Sequence, residues 1–355
     1  MKPLHELGIE HKGIEESLVA AVRVDLANRR ELPLALADMK RRVPDSAVAG
    51  PLFAHWPFLP CGEGFDVWLG VPVTRAVEGV ETQRFPAREV LSLVHEGPLE
   101  QLRESYGTLF RAATERGLVS DEFTREVYWE LATPVYCRIE LQLVVHDWSS
   151  LLGRGVEWAL GAEARGEVMQ AAELLTVEST LDQRFEWVRG AIGRLDGLAD
   201  ERVRFESVSR CAHVFPEKPL EKLEAVYKEA RTATGDSWQA VDAVLAVMAN
   251  DRTWFGKPYR EGRVIYATKG PANRHAFEAA TTDAERRRAA CYCTLVRDHL
   301  DQGMSPTFCN CSAGWERQVW ERVIGRPVRV EVVKSLLRGD LCCQFAVQLP
   351  DELNG

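Results

Sequence analysis

Through the first 147 positions, apolar residues gather in short strand-like runs that are interrupted twice by helical spacing. Residues 15–26 (EESLVAAVRVDL) are rich in Val and Leu and predict a strand. Leu32, Leu36 and Met39 then share one face of a helix over 29–43, which Pro44 ends because proline cannot continue the hydrogen-bond ladder. Strand-like runs follow at 47–58 (AVAGPLFAHWPF) and 65–73 (FDVWLGVPV), separated by the turn-rich PCGEG. The order then recurs. Residues 80–95 predict a strand interrupted by Pro86, and Gly97-Pro98 opens a helix, since proline suits the first helical position. Leu99, Leu102, Tyr106, Leu109, Phe110 and Ala113 make its apolar stripe, and Gly117 supplies the stop. Strands at 125–131 and 136–145 complete the set. Two units of about seventy residues with one element order predict an internal pseudo-two-fold, in pattern rather than in residue identity.

From His146 the texture turns helical, with good helix formers and no internal proline across 163–195. Amphipathic helices fit 219–231 and 236–250, and 251–275 reads as loop with one short strand. Helix returns at 275–290, and the tail predicts helix (314–324), strand (327–333), a turn at Gly339-Asp340 and strand (341–349). With 355 residues, the chain divides into two domains, 1–147 and 148–355. The expected fold class is α+β: a duplicated βαββ domain, then a second α/β domain with a helical lead-in.

The totals narrow the function classes. Hydrophobic content of 46% and charged content of 27% suit a soluble globular protein, and no run reaches the length of a membrane span. The N-terminus lacks the apolar core of a signal peptide, which predicts a cytoplasmic location and reduced thiols. A net charge of −9 argues against direct nucleic-acid binding. Arg286-Arg287-Arg288 reads as a solvated helix face rather than a phosphate clamp, and Gly153-Arg-Gly155 lacks the third glycine of a dinucleotide fingerprint. His146-Asp147-Trp148 and the aromatic loop Trp254 to Tyr259 read as packing.

Phe85-Pro86-Ala87, His95-Glu96-Gly97-Pro98, Leu102, Tyr106 through Leu109, and Tyr128-Trp129-Glu130 occur in an order that resembles the GyrI-like effector-binding domain, also called the SOUL-type fold. The resemblance covers roughly residues 1–147. It implies a cleft between the two halves that takes up flat, apolar, often cationic molecules, with Glu130 where the family places its acidic pocket residue. It also implies kinship with transcription regulation, because the family's domain is often joined to a helix-turn-helix; none is visible here. Some relatives are free-standing binders and others hydrolyse reactive compounds. The residues agree with binding: a carboxylate beside aromatic rings receives a flat cation, through the ring quadrupole and the opposite charge. Tyr128 and Glu130 fall on one strand face, and Phe53, His55, Trp56 and Phe58 add aromatic surface on the matching strand. The alternative is that these rings fill core. A shielded Glu130 would also serve as general base in a hydrolase.

Six of the nine cysteines crowd the C-terminal stretch, as Cys291-Tyr-Cys293, Cys309-Asn-Cys311 and Cys342-Cys343. In extended backbone a C-x-C pair presents both sulfurs on one face, and Cys211-Ala-His213 has the same form. Cys211, His213, Cys291, Cys293, Cys309, Cys311 and Cys343 are therefore candidate metal ligands, for zinc ahead of an iron–sulfur cluster. Two other readings stay open: a thiol trap for electrophiles or soft metals, and plain packing of small apolar side chains, the reading given to Cys61 and Cys137. The tail from Cys309-Asn-Cys311-Ser-Ala-Gly314-Trp315 to Gly339-Asp340 and Cys343-Gln-Phe345 resembles the four-vinyl-reductase-type small-molecule-binding domain. That resemblance implies an α/β domain whose cysteines hold a metal. The expected function is binding or sensing of a hydrophobic, aromatic or cationic small molecule, coupled to a metal- or thiol-bearing domain. The alternative is a detoxifying enzyme, either a hydrolase or a thiol protein.

Overall fold

In a computed structural model, which describes residues 1–57, 65–120, 123–129, 136–215, 217–250, 257–351 and 353, the chain divides into two units, Met1–Asp147 and Trp148–Gly355. The strands of the first unit are β1 (Ile9–Ile14), β2 (Ser17–Leu26), β3 (Leu52–Pro57), β4 (Phe65–Pro72), β5 (Thr82–Phe85), β6 (Arg88–Gly97), β7 (Phe123–Tyr128) and β8 (Cys137–Val144). They form one eight-stranded sheet in the order β1-β6-β8-β7-β3-β4-β2-β5, antiparallel throughout. Helix α1 (Leu32–Arg42) separates β2 from β3, and α2 (Leu102–Glu115) separates β6 from β7. The order strand, helix, strand, strand thus occurs twice, and the two sets join through β3 and β7. There Ala54 stands opposite Glu126 and Leu52 opposite Tyr128.

Local chemistry explains the departures from expectation. Pro86 cannot donate to a ladder, so the run at 80–95 becomes two strands with different partners: β5 pairs with β2, and β6 with β1 and β8. Strand β1 is a largely polar edge strand, without the alternation that marks a strand in sequence. Leu32, Leu36 and Met39 of α1 are buried as the spacing predicts; of the stripe expected for α2, Leu102, Leu109 and Ala113 are buried together with Ala112, while Leu99, Tyr106 and Phe110 are half-buried. On β4, Gly70 faces Phe53 of β3; a Cβ there would stand 2.4 Å from the ring, so only glycine lets that ring lie flat across the neighbouring strand.

The second unit opens with α3 (Trp148–Leu160), α4 (Ala162–Val168), α5 (Leu181–Leu198), α6 (Glu201–Val208), α7 (Glu217–Thr234) and α8 (Ser237–Asn250). A hairpin follows, β9 (Tyr259–Glu261) and β10 (Val264–Thr268), where one strand was expected. The helix expected over 275–290 is two, α9 (Arg274–Ala279) and α10 (Asp283–Ala290). Thr282 and Glu285 restart it with a reciprocal capping box. After α11 (Asn310–Ile324), β11 (Arg329–Lys334) and β12 (Gln344–Gln348) complete a sheet in the order β11-β12-β10-β9. All its pairs are antiparallel, so this unit is α+β rather than the α/β expected. Its core joins Leu223, Val244, Ile265, Trp320, Phe345 and Val347. Trp320 is fully buried and Trp315 only half-buried, as their five-residue spacing on one helix requires. No helix among the described residues is long and apolar enough to cross a membrane.

Gly314 marks where α11 meets the backbone of residues 209–212. A Cβ on Gly314 would lie 2.0 Å from the Ser209 carbonyl oxygen and 2.9 Å from the Ala212 Cβ. Backbone cannot yield as a side chain does, so Gly314→Ala should destabilise the C-terminal unit by about 1–3 kcal/mol, the range for overpacking. A lower urea midpoint is the expected result, and an unchanged midpoint would contradict the close contact.

Candidate functional site

Glu126 of β7 is completely buried. A carboxylate removed from water must find donors and a counter-charge, or it is too costly to keep ionised. Glu126 has both. Its Oε1 accepts from Arg29 Nη2 at 2.5 Å and from Tyr106 Oη at 2.6 Å, and its Oε2 accepts from Tyr128 Oη. Strand alternation sets Tyr128 beside Glu126 on one face; Tyr106 comes from α2, and Arg29 from the turn that leads into α1. The Arg29 guanidinium also stacks on Trp56 of β3, with Cζ 4.8 Å from the ring centroid. Burial alone would lower the pKa of Arg29, but the adjacent Glu126 outweighs it and raises it above the ordinary value. Burial, reinforced by Glu126, pushes Tyr106 and Tyr128 well above the ordinary phenol range, so both remain donors. The result is a charge-balanced polar centre beside an aromatic wall, able to receive one polar or charged group of a ligand.

The residues expected to line one site divide by strand parity. Trp56 and Tyr128 lie on the Glu126 face. Phe53 and His55 alternate to the opposite face, where Phe53 packs with Val19, Ala21 and Val127. His55 stands edge-on to Phe85 at 5.6 Å and lines a hollow of about 240 Å³ with Arg125 and Pro86. Arg125 is stacked on Phe53 at 3.8 Å. Phe53 and His55 therefore do not share a pocket with Tyr128 and Trp56. Glu130, Phe58 and Cys61 lie outside the described residues. Glu126 was missed because Arg-Glu on a strand reads as a solvated pair. The available signal was its two-residue spacing from Tyr128 and the tyrosine within the stripe of α2. His95 is a structural histidine, bonded to Ser105 Oγ at 2.9 Å and the Pro98 carbonyl at 3.2 Å.

In the second unit the thiols gather without forming a ligand set. Cys291, Cys293, Cys309 and Cys343 come from three segments and act on one another electrostatically. Burial, with the other thiols adding to it, pushes Cys309 up to about 12 and raises Cys291 further. Burial likewise raises Cys293, Cys343 and Cys211, so all five are thiols near neutrality. Cys309 Sγ lies 3.1 Å from Ser335 Oγ, and Cys311 Sγ donates to the Cys211 carbonyl at 3.1 Å. Among the described residues, no three or more His, Cys, Asp or Glu side chains are arranged to hold a metal ion. The parity argument for Cys309 and Cys311 fails because Cys311 lies in the first turn of α11 and Cys309 just before it. Helical residues two apart point about 200° apart around the axis. His213 presents an exposed side chain, while its carbonyl accepts from Gln318. Cys137 is buried and donates to the Gly97 carbonyl at 3.3 Å, a packing role.

Residues 35–143 match the GyrI-like small molecule binding domain. The first unit therefore contains a GyrI-like small-molecule-binding domain. That match does not reach the C-terminal tail and lends no support to a four-vinyl-reductase-type domain there. Among solved structures, the chain is similar to the EcmrR C-terminal domain, with 19% identity, 39% of this chain and 97% of that chain covered, and a TM-score of 0.35. It is similar to SAV2435 bound to tetraphenylphosphonium, with 10% identity, 40% and 96% covered and a TM-score of 0.30. It is also similar to a hydrolase encoded by lin2189 from Listeria innocua, with 14% identity, 39% and 91% covered and a TM-score of 0.29. A comparison with curated proteins gave no match.

Removing one member of the buried pair should expose its cost. Glu126→Ala strands the Arg29 guanidinium and should destabilise the first unit by about 3–5 kcal/mol. Tyr128→Phe removes one donor and should cost about 1 kcal/mol. Denaturant titration of each variant measures both, and equal small losses would mean that the Arg29–Glu126 pair does not hold this unit together.

Proposed function

We propose that the first unit is a receptor for a flat, apolar small molecule that docks against Trp56 and Tyr128 and places its polar group at Glu126. The observation that carries this reading is the buried Glu126 carboxylate, neutralised from within by Arg29 beside an aromatic wall. Apolar walls with a few convergent polar groups are the usual make-up of a ligand site. In this reading Arg29 stands where the charge of a cationic ligand belongs. One carboxylate cannot serve two buried cations well, so such a ligand enters by displacing the guanidinium. Arg29 is then a built-in competitor that sets the threshold for cation binding. Its side chain remains 29% exposed, which gives it an outward path. Glu126 is a poor general base for hydrolysis, since it is sealed from solvent and three of its four acceptor positions already hold hydrogen bonds.

Quenching of intrinsic tryptophan fluorescence by tetraphenylphosphonium tests the proposal. Arg29→Ala should tighten binding by about tenfold or more, which corresponds to roughly 1.4 kcal/mol of removed competition. Glu126→Gln should weaken binding, and the double variant should lose the gain. Identical affinities in the wild type and both single variants would remove this pair from the binding site.

A further inference from the structure

The C-terminal unit holds a cation, Lys269, that makes no ion pair among the described residues. Lys269 follows β10, and its backbone N–H is tied to the Cys343 carbonyl at 2.9 Å. Its Nζ lies 5.2 Å from the centroid of Trp315, 5.6 Å from Tyr292 and 5.7 Å from Phe345, with Ser312 Oγ at 3.4 Å. No carboxylate stands within ion-pair distance of it among the described residues. Three ring faces attract the ammonium and hold it in place, but they do not neutralise it.

Reactive side chains surround this ammonium. Lys269 acts electrostatically on Cys293, Cys343 and Glu316. Cys293, Cys343 and Glu316 are each partly open to solvent, so a small reagent can reach them. Burial pushes the Glu316 carboxyl up to about 7, with Lys269 pulling the other way, so it offers little standing charge below neutrality. The Cys293 sulfur also receives the backbone N–H groups of Leu295 and Val296. Burial opposes its ionisation, while these amides, Lys269 and Arg297 would stabilise a thiolate once formed.

We propose that the C-terminal unit carries a second small-molecule site, in which Lys269 anchors the anionic group of a ligand beside the thiols of Cys293 and Cys343. The ligand class is a small carboxylate-bearing molecule whose electrophilic carbon falls next to Cys293. This site is independent of the Glu126 receptor, and neither reading needs the other.

Iodoacetate and iodoacetamide test it, because they differ in charge but share one reaction. The cysteine sulfur forms a bond to the methylene carbon, the carbon–iodine bond breaks, iodide leaves, and the thiol proton passes to water. The thiolate fraction cancels in the ratio of the two rates, read for each cysteine by peptide mass spectrometry. At Cys293 and Cys343 the iodoacetate-to-iodoacetamide ratio should exceed that of glutathione by about tenfold or more, the scale of local electrostatic concentration in a cleft. Lys269→Gln should return the ratio to that of glutathione and also slow iodoacetamide, because the thiolates lose the charge that favours them, while Lys269→Arg should keep the preference. A wild-type ratio equal to that of glutathione, or a preference that survives Lys269→Gln, overturns the proposal. The wild-type comparison needs no variant, so a poorly folding substitution cannot shield the idea.

Discussion

A carboxylate sealed inside a protein obliges the surrounding chain to supply its counter-charge, and Glu126 imposes that obligation on the whole first unit. Arg29 comes from the first strand–helix–strand–strand set; Glu126, Tyr106 and Tyr128 come from the second. The two sets are joined by the pairing of β3 with β7, and the polar centre lies beside that seam. Apolar-in, polar-out alternation gives this seam little guidance, because Thr124 to Tyr128 are buried on both faces of β7. A one-residue slip of β7 would turn Glu126 to the opposite face and leave Arg29 unpaired. The ion pair therefore acts on register as well as on ligand chemistry.

The same strand carries the opposite charge to the other face. Arg125 is buried on Phe53, and burial lowers it to about 10, with Glu140 pulling the other way, so it stays protonated at neutral pH. Glu140 is meanwhile served by Lys12, Ser92 and Gln142. The Glu126 face of β7 thus balances its charge within one hydrogen-bonded group, whereas on the other face Arg125 is held by ring stacking and the field of Glu140. That division explains why aromatic residues adjacent on β3 serve different purposes: Trp56 belongs to the Glu126 centre, and Phe53 supports Arg125.

Much of this fold is legible in the chain, because amphipathic periods are set by geometry that does not depend on context. The stripes Leu32, Leu36, Met39 and Leu102, Leu109, Ala113 map onto buried helix faces for that reason. The GyrI-like character of the first unit was likewise visible from Phe85-Pro86-Ala87 onward. The centre of the site was not. A buried ion pair between residues 97 positions apart leaves no local pattern, and Arg-Glu within a strand looks like solvated surface. Aromatic residues were grouped by type when parity divides them. In the C-terminal unit, the expected geometry of Cys309 and Cys311 required extended backbone, but helix α11 begins between them. Gly314, which helped to suggest a family, is explained by the close approach of two backbones.

The thiols of that unit follow an electrostatic rule of their own. Each thiolate that forms among Cys291, Cys293, Cys309 and Cys343 raises the cost of the next, so the group, neutral near pH 7, resists taking up more than one negative charge. Lys269 offers one positive charge to match it, from a position held by three aromatic rings. A ligand carboxylate and a Cys293 thiolate would compete for that one ammonium, and the backbone amides of Leu295 and Val296 favour the sulfur. Ionisation of Cys293 in turn requires the amides to carry the charge that Lys269 has given to the ligand.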